Sequence, residues 1–471
     1  MPNRILILAA GVGSGHNSAA RAIEEAVRRS QPQAEVFRLD VLDTTNEVFN
    51  RLYDDAYFTL VSEVPWLVSW GYDSQDPPFK IAPVMKWWEQ ANTTSMVRGI
   101  RDYQPDLVIC THFMPARMVS LMIARQQLDT ELVVVTTDFD FQGLWLTAPV
   151  SHLYVAREET RQYLLSIGLP AERVTTSGIP VRSEFSDPFD AAAIRAQHGL
   201  NEDDPVVLIS AGAAGGPKTL QVVQQCLAIE QPFQAVVVCG RNEELKTQIE
   251  ALVAGRANFH VVGFTDQMPE LMRISALFVG KPGGLSSSEC MAAGLPMVII
   301  DPIPGQEVRN ADFLLEEGAA VRCNYATTIG YKVGALLADP TRLEAMAANA
   351  RRVGHPDAAQ VVADTASALT GRPLWISREA QRGIQRLSTE GGGVALPDER
   401  LRTLIDLQTG EALALVMESE LSALGGMPWS NEVELSRPRL RALRWQPDYY
   451  TLATAAMWLL GDAESVAVGV R

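Results

Sequence analysis

The stretch Gly280-Lys-Pro-Gly-Gly-Leu-Ser-Ser-Ser-Glu289, with Pro304-Gly-Gln-Glu-Val-Arg-Asn310 shortly downstream, decides how this chain is read. The apolar run Leu277 to Val279 predicts a strand, and Gly283 and Gly284 a tight turn. The serine-rich segment then predicts a helix, with the bare backbone amides of the glycine turn at its start. That geometry holds a phosphate. Glu289 falls on the helix, where a carboxylate accepts two hydrogen bonds from neighbouring ribose hydroxyls, and Gln306, Glu307 and Asn310 offer amides and a carboxylate to sugar hydroxyls. The whole reads as a nucleotide-sugar site. The plain alternative is a strand, a turn and a helix with a buried glutamate.

Outward from that stretch, short apolar runs alternate with amphipathic ones. Ile5 to Ala9, Glu35 to Leu39, Leu107 to Cys110 and Leu132 to Thr136 come first; Val206 to Ser210, Ala235 to Val238, His260 to Val262 and Met297 to Ile300 follow. Such βα alternation predicts parallel sheets. It breaks at Ser177-Gly-Ile-Pro-Val-Arg-Ser-Glu-Phe-Ser-Asp-Pro188 and restarts beyond it. The expected class is α/β, with two doubly wound, Rossmann-like domains: residues 1–176, a hinge at 177–188, and residues 189–370. Residues 371–471, marked by Gly391-Gly-Gly393, form an extension whose fold the pattern does not give.

With 471 residues the chain exceeds what one core holds. Its net charge of −16 argues against nucleic acid, whose phosphates would repel it. The five cysteines, Cys110, Cys226, Cys239, Cys290 and Cys323, show no Cys-x-x-Cys spacing, so neither a zinc ribbon nor a disulfide framework is expected and a reducing cytoplasm fits. Neither a signal-peptide pattern nor an apolar run of membrane-spanning length is visible.

The first strand ends at Gly11-Val-Gly-Ser-Gly-His16, ahead of a helix with Ala19, Ile23, Ala26 and Val27 on one face. A dinucleotide fingerprint would need a third glycine where His16 stands, although Asp40 could supply its ribose-binding acid. At the open end of a parallel sheet, His16 is instead a candidate general base, with Gly13 and Gly15 beside it on the acceptor side.

Taken together, the glycine loop ending in His16, the hinge Ser177-Gly-Ile-Pro-Val-Arg182, the Gly280 to Glu289 run and the Gln306-Glu307 pair resemble inverting glycosyltransferases of the two-Rossmann (GT-B) fold. Among these the chain looks most like monogalactosyldiacylglycerol synthases and processive diacylglycerol glucosyltransferases, and more distantly resembles the N-acetylglucosaminyltransferase of lipid II synthesis. The resemblance implies two domains facing a cleft. The second would bind a uridine diphosphate sugar, and the first would receive a lipid hydroxyl such as that of diacylglycerol. It implies diphosphate contacts from the backbone amides of Gly284, Leu285 and Ser286, and from Gly212, Gly215 and Gly216 in Ala211-Gly-Ala-Ala-Gly-Gly216, where alanines replace some of the family's glycines. It further implies uracil contacts from Gly263, Phe264 and Thr265, and sugar contacts from Gln306, Glu307 and Asn310. Lys218 is either a further cation for the departing diphosphate or a surface lysine.

Asp138-Phe-Asp140 spells a metal-binding Asp-x-Asp, but GT-B enzymes hold the diphosphate on amides and helix dipoles, so no cofactor and no metal are expected. Asp138 is expected to end a buried strand on the acceptor side. Val64 to Tyr72 and Trp87-Trp88 are either interfacial aromatics or core. From Val41 to Val150 acids outnumber bases, which weakens a purely electrostatic attraction to anionic lipid. Arg437-Pro-Arg-Leu-Arg-Ala-Leu-Arg-Trp445 is either a basic aromatic lipid contact or the helical edge of a small added domain. A lipid acceptor implies a cytoplasmic protein placed peripherally on the inner face of the cell membrane. The competing functions are the same fold acting on a soluble acceptor, a UDP-sugar epimerase, and a noncatalytic UDP-sugar binder.

Overall fold

The computed structural model describes residues 4–11, 15–44 and 94–369, apart from 125–126, 129, 148–149, 167–168, 170 and 213–217, and beyond these only four short strands. It forms two compact units, one from Met1–Val12, Ile23–Ser177 and Gln360–Arg471, the other from Gly13–Ala22 and Gly178–Ala359.

The first unit carries a six-stranded sheet of β1 (Arg4–Ala9), β2 (Glu35–Asp40), β3 (Leu107–Cys110), β4 (Glu131–Val135), β5 (His152–Val155) and β6 (Val174–Thr176), ordered β2-β1-β3-β4-β5-β6. All its pairings are parallel. Its central strands are buried along their whole length, because in a parallel sheet helices cover both faces and the strands need continuous apolar runs. The edge strand β2 is mostly accessible, and its Arg38 pairs with Glu24 of the helix Gly15–Ser30 at 2.7 Å.

The second unit repeats the plan with β7 (Val206–Ser210), β8 (Gln234–Val238), β9 (Phe259–Val262), β10 (Leu277–Gly280), β11 (Met297–Ile300) and β12 (Ala320–Cys323), ordered β12-β11-β10-β7-β8-β9 and again parallel. Its core joins Val207, Ile209, Val237, Val279 and Val298 to Val222, Ile249 and Val333 from the covering helices. In each sheet the strand order reverses once, between β1 and β3 and between β7 and β10. Ligands of doubly wound folds bind at such switch points, beyond the carboxyl ends of the strands.

Within the segment expected as a hinge, Gly178 is the first residue of the second unit after Ser177. Its φ of +80° suits glycine, and an added Cβ would stand 2.3 Å from the Cβ of His355, so no other residue fits without moving the backbone. In the C-terminal extension the described strands, β13 (Trp375–Ile376), β14 (Leu401–Ile405), β15 (Ala412–Met417) and β16 (Arg441–Ala442), form a small sheet ordered β13-β15-β14-β16. Where the sequence offered a helical edge, within Arg437 to Trp445, the two described residues are a strand. The rest of that segment, Val64 to Tyr72 and Trp87-Trp88 lie outside the described residues.

Candidate active site

The turn after β10 is held from two sides. Asn310, fully buried, donates its Nδ2 to the carbonyl of Pro282 at 3.1 Å. Glu307 accepts the amide of Ile303 at 2.7 Å, and its other oxygen would stand 3.7 Å from a Cβ placed on Gly283. Burial pushes the Glu307 carboxyl above the ordinary carboxylate range, against the pull of the Ile303 amide and Lys281. The helix Gly284–Ala293 starts directly behind the turn, and its first backbone bond runs from Ser287 to Gly283 at 2.9 Å. The amides of Gly284, Leu285 and Ser286 therefore precede the helical ladder and are placed to take an anion. Through its bond to Pro282, Asn310, the expected sugar reader, buttresses the turn.

Glu289 lies one turn further along this helix. Burial pushes its carboxyl up to about 7, while Arg182 pulls the other way. Arg182 donates Nη2 to the carbonyl of Asp266 at 3.0 Å. Asp266 follows Gly263-Phe264-Thr265 at the end of β9, in a turn closed by the Gln267 amide on Thr265 Oγ1 at 3.1 Å. One guanidinium thus links the carboxylate expected at the ribose to the loop expected at the base. Phe264 stands 56% exposed. Arg182 was visible in the sequence only as the end of the hinge motif, because its partner lies 84 residues away.

Beyond β7, Gly212 has φ +74° and its amide meets Ser210 Oγ at 3.3 Å; Gly215 and Gly216 lie outside the described residues. Lys218 forms an ion pair with Asp301, which follows β11 in a left-handed conformation of φ +46°. The pair borders a cavity of about 200 Å³ lined also by Arg322 and Asn324. Gln306 opens the helix Gln306–Glu316 beside Glu307.

In the first unit, Asp40 accepts the amides of Gly11 and Leu42, each at 3.0 Å. The acid that a dinucleotide would need for its ribose thus braces the glycine loop. His16 is the second residue of the helix Gly15–Ser30 and half-buried, whereas Gly13 lies outside the described residues. Gly15 and His16 belong with the second unit, where a Cβ on Gly15 would stand 3.7 Å from that of Leu285. Asp138 is buried three residues past the end of β4, in a loop and not at the strand end. Asp140 is engaged by Arg157 at 2.7 Å.

Two doubly wound parallel sheets, each with a single reversal of strand order, define a protein of the GT-B class. Residues 16–181 match the family described as monogalactosyldiacylglycerol (MGDG) synthase, and residues 190–353 match glycosyl transferases group 1. The processive diacylglycerol beta-glucosyltransferase of Bacillus subtilis (strain 168) is 30% identical over 369 residues, 76% of this chain and 93% of that protein. MurG of Acinetobacter baumannii has a solved structure that superposes with a TM-score of 0.52 at 20% identity, covering 78% of this chain and all of that one. The UDP-GlcNAc 2-epimerase of Neisseria meningitidis reaches 0.50 at 15% identity over the same share of each chain, so the fold alone does not choose between transfer and epimerisation. The chain belongs to the family of the monogalactosyldiacylglycerol synthases and processive diacylglycerol glucosyltransferases, and it is a glycosyltransferase.

Proposed function

We propose that the protein transfers a hexose, with inversion, from a uridine diphosphate sugar to the hydroxyl of a diacylglycerol-type lipid. The observation that carries the donor half is the run from Phe264 through Asp266 and Arg182 to Glu289, ending at the Gly283 turn. It offers a stacking surface for a base, a carboxylate for a ribose and unladdered amides for a diphosphate, in the order in which a nucleoside diphosphate presents them. Gln306 and Glu307 stand beside that turn for the hexose. The lipid half rests on the name of the Bacillus subtilis relative.

In the proposed reaction the acceptor oxygen attacks the anomeric carbon as the bond to the β-phosphate oxygen breaks. His16 takes the acceptor proton, and the amides of Gly284, Leu285 and Ser286 receive the charge gathering on the departing diphosphate. Such donors favour the transition state because that charge develops only as the bond breaks. No metal is required in this scheme. Among the described residues no helix is long and apolar enough to cross a membrane, and we place the protein peripherally, against the bilayer that holds its acceptor.

The test is to incubate purified protein with UDP-glucose, UDP-galactose or UDP-N-acetylglucosamine and diacylglycerol vesicles, and to read the lipid extract by mass spectrometry. A hexosyl-diacylglycerol that still forms in excess chelator is expected. Isomerised sugar from donor alone would make the protein an epimerase; transfer only to soluble alcohols would overturn the lipid reading, and activity restored solely by manganese the metal-free one.

A further inference from the structure

The carboxyl ends of β8 and β9 lie side by side, with Val238 paired to Val262, and the Cys239 amide donates to the Val262 carbonyl at 2.8 Å. From this common base each strand throws out one side chain, Arg241 after β8 and Phe264 after β9. The guanidinium carbon of Arg241 stands 5.0 Å from the centroid of the Phe264 ring. Both residues are exposed, yet both turns are fixed. Gly240, at φ +62°, bends the chain, and Asn242 caps the next helix by accepting the Leu245 amide at 2.9 Å. The Thr265 side chain closes the turn beyond Phe264.

In a chain of net charge −16, an exposed arginine ordinarily finds a carboxylate, and Glu243 and Glu244 are close in sequence. Among the described residues no ion pair ties Arg241, and its guanidinium lies on the ring instead. A guanidinium stacked on one face of an aromatic ring leaves the other face free for a second flat group, and cation–π attraction holds the ring in place.

We propose that Arg241 is a positioning residue for nucleotide recognition: it backs the Phe264 ring so that the open face receives the planar base of a nucleoside diphosphate. This rests on the donor reading above and adds a residue to it. It also predicts how the binding energy divides. Arg241 acts on the base alone, whereas Glu289 and the Gly283 turn act on ribose and diphosphate.

Titration calorimetry with UDP and with base-free ribose 5-diphosphate separates these contributions. Arg241→Ala should weaken UDP about two- to fivefold, as befits an exposed cation–π pair, and leave ribose 5-diphosphate unchanged. Phe264→Ala should weaken UDP about five- to a hundredfold, again without touching the base-free ligand. In that background Arg241→Ala should have no further effect. Equal losses for both ligands would make Arg241 a phosphate contact and overturn the proposal, as would an unchanged UDP affinity. Wild-type protein that binds neither ligand would overturn the donor reading itself, and this inference with it.

Discussion

In the proposed donor site Glu289 must be charged to accept two ribose hydroxyls, yet burial raises its pKa to about 7. Donor binding should therefore release a proton. If only the ionised form binds, UDP affinity rises with pH and is about tenfold weaker at pH 6 than at pH 8. Glu289→Gln should lose about 10- to 100-fold in affinity and flatten that dependence, as calorimetry at three pH values would show. A mutant with wild-type affinity would remove Glu289 from the ribose. The same shift has a stability consequence of opposite sense: the folded state holds the proton more tightly than the unfolded chain, so stability falls as pH rises from about 4.5 to 7. Glu289→Gln should accordingly raise Tm at pH 8 and leave it nearly unchanged at pH 4. His16 gives a complementary expectation. His16→Ala should lower turnover about 10²- to 10⁴-fold, the usual worth of a positioned base, while UDP affinity stays within about twofold. Near wild-type turnover in that variant would pass the role of base to buried Asp138.

At the scale of elements, the turn after β10 depends on one buried amide. Asn310→Ala leaves the Pro282 carbonyl without its Nδ2 partner and opens a small void, a loss of about 1 to 3 kcal/mol measurable by urea denaturation. UDP affinity should fall with it and return in part with Asn310→Asp at low pH, where a protonated carboxyl can again donate. The turn itself was legible in the sequence because everything that makes it is local: an apolar strand, two glycines and a helix within a dozen residues. Strands β1, β3, β7, β8 and β11 were legible for the same reason, since strands buried on both faces read as unbroken apolar runs. Strands β5, β6 and β12 were not. His152, Thr175 and Arg322 interrupt their runs. His152 meets Thr175 at 2.8 Å across neighbouring strands, a pairing the local pattern cannot show. The site divides in the same way. Glu289 and Glu307 came from local spacing, while the Arg182 link to Asp266 and the Arg241 stack on Phe264 needed the chain folded.

At the scale of the whole molecule, the question is where the catalytic body ends. Every strand of the two six-stranded sheets precedes the helix Ala358–Leu369, so the sequence pattern fades there, yet that helix is not dispensable. Ala358, Ala359, Val362 and Ala363 are buried. From Gln360 onward the chain groups with the first unit, although the donor residues belong to the second. Two truncations separate these contributions. A chain ending at Gly371 keeps the helix and should bind UDP within about twofold of the full-length protein, because no donor residue lies beyond Asn310. A chain ending at Gly354 loses the buried alanines and Val362, at about 0.8 kcal/mol per buried methylene-sized group, and with them several kcal/mol of a stability that is seldom more than about 15 kcal/mol. Thermal melts should show a large fall in Tm for the shorter chain and a small one for the longer. If the chain ending at Gly371 fails to fold or to bind UDP, the sheet formed by β13 to β16 is part of the catalytic body. If it binds UDP but no longer floats with diacylglycerol vesicles, the extension carries the membrane contact.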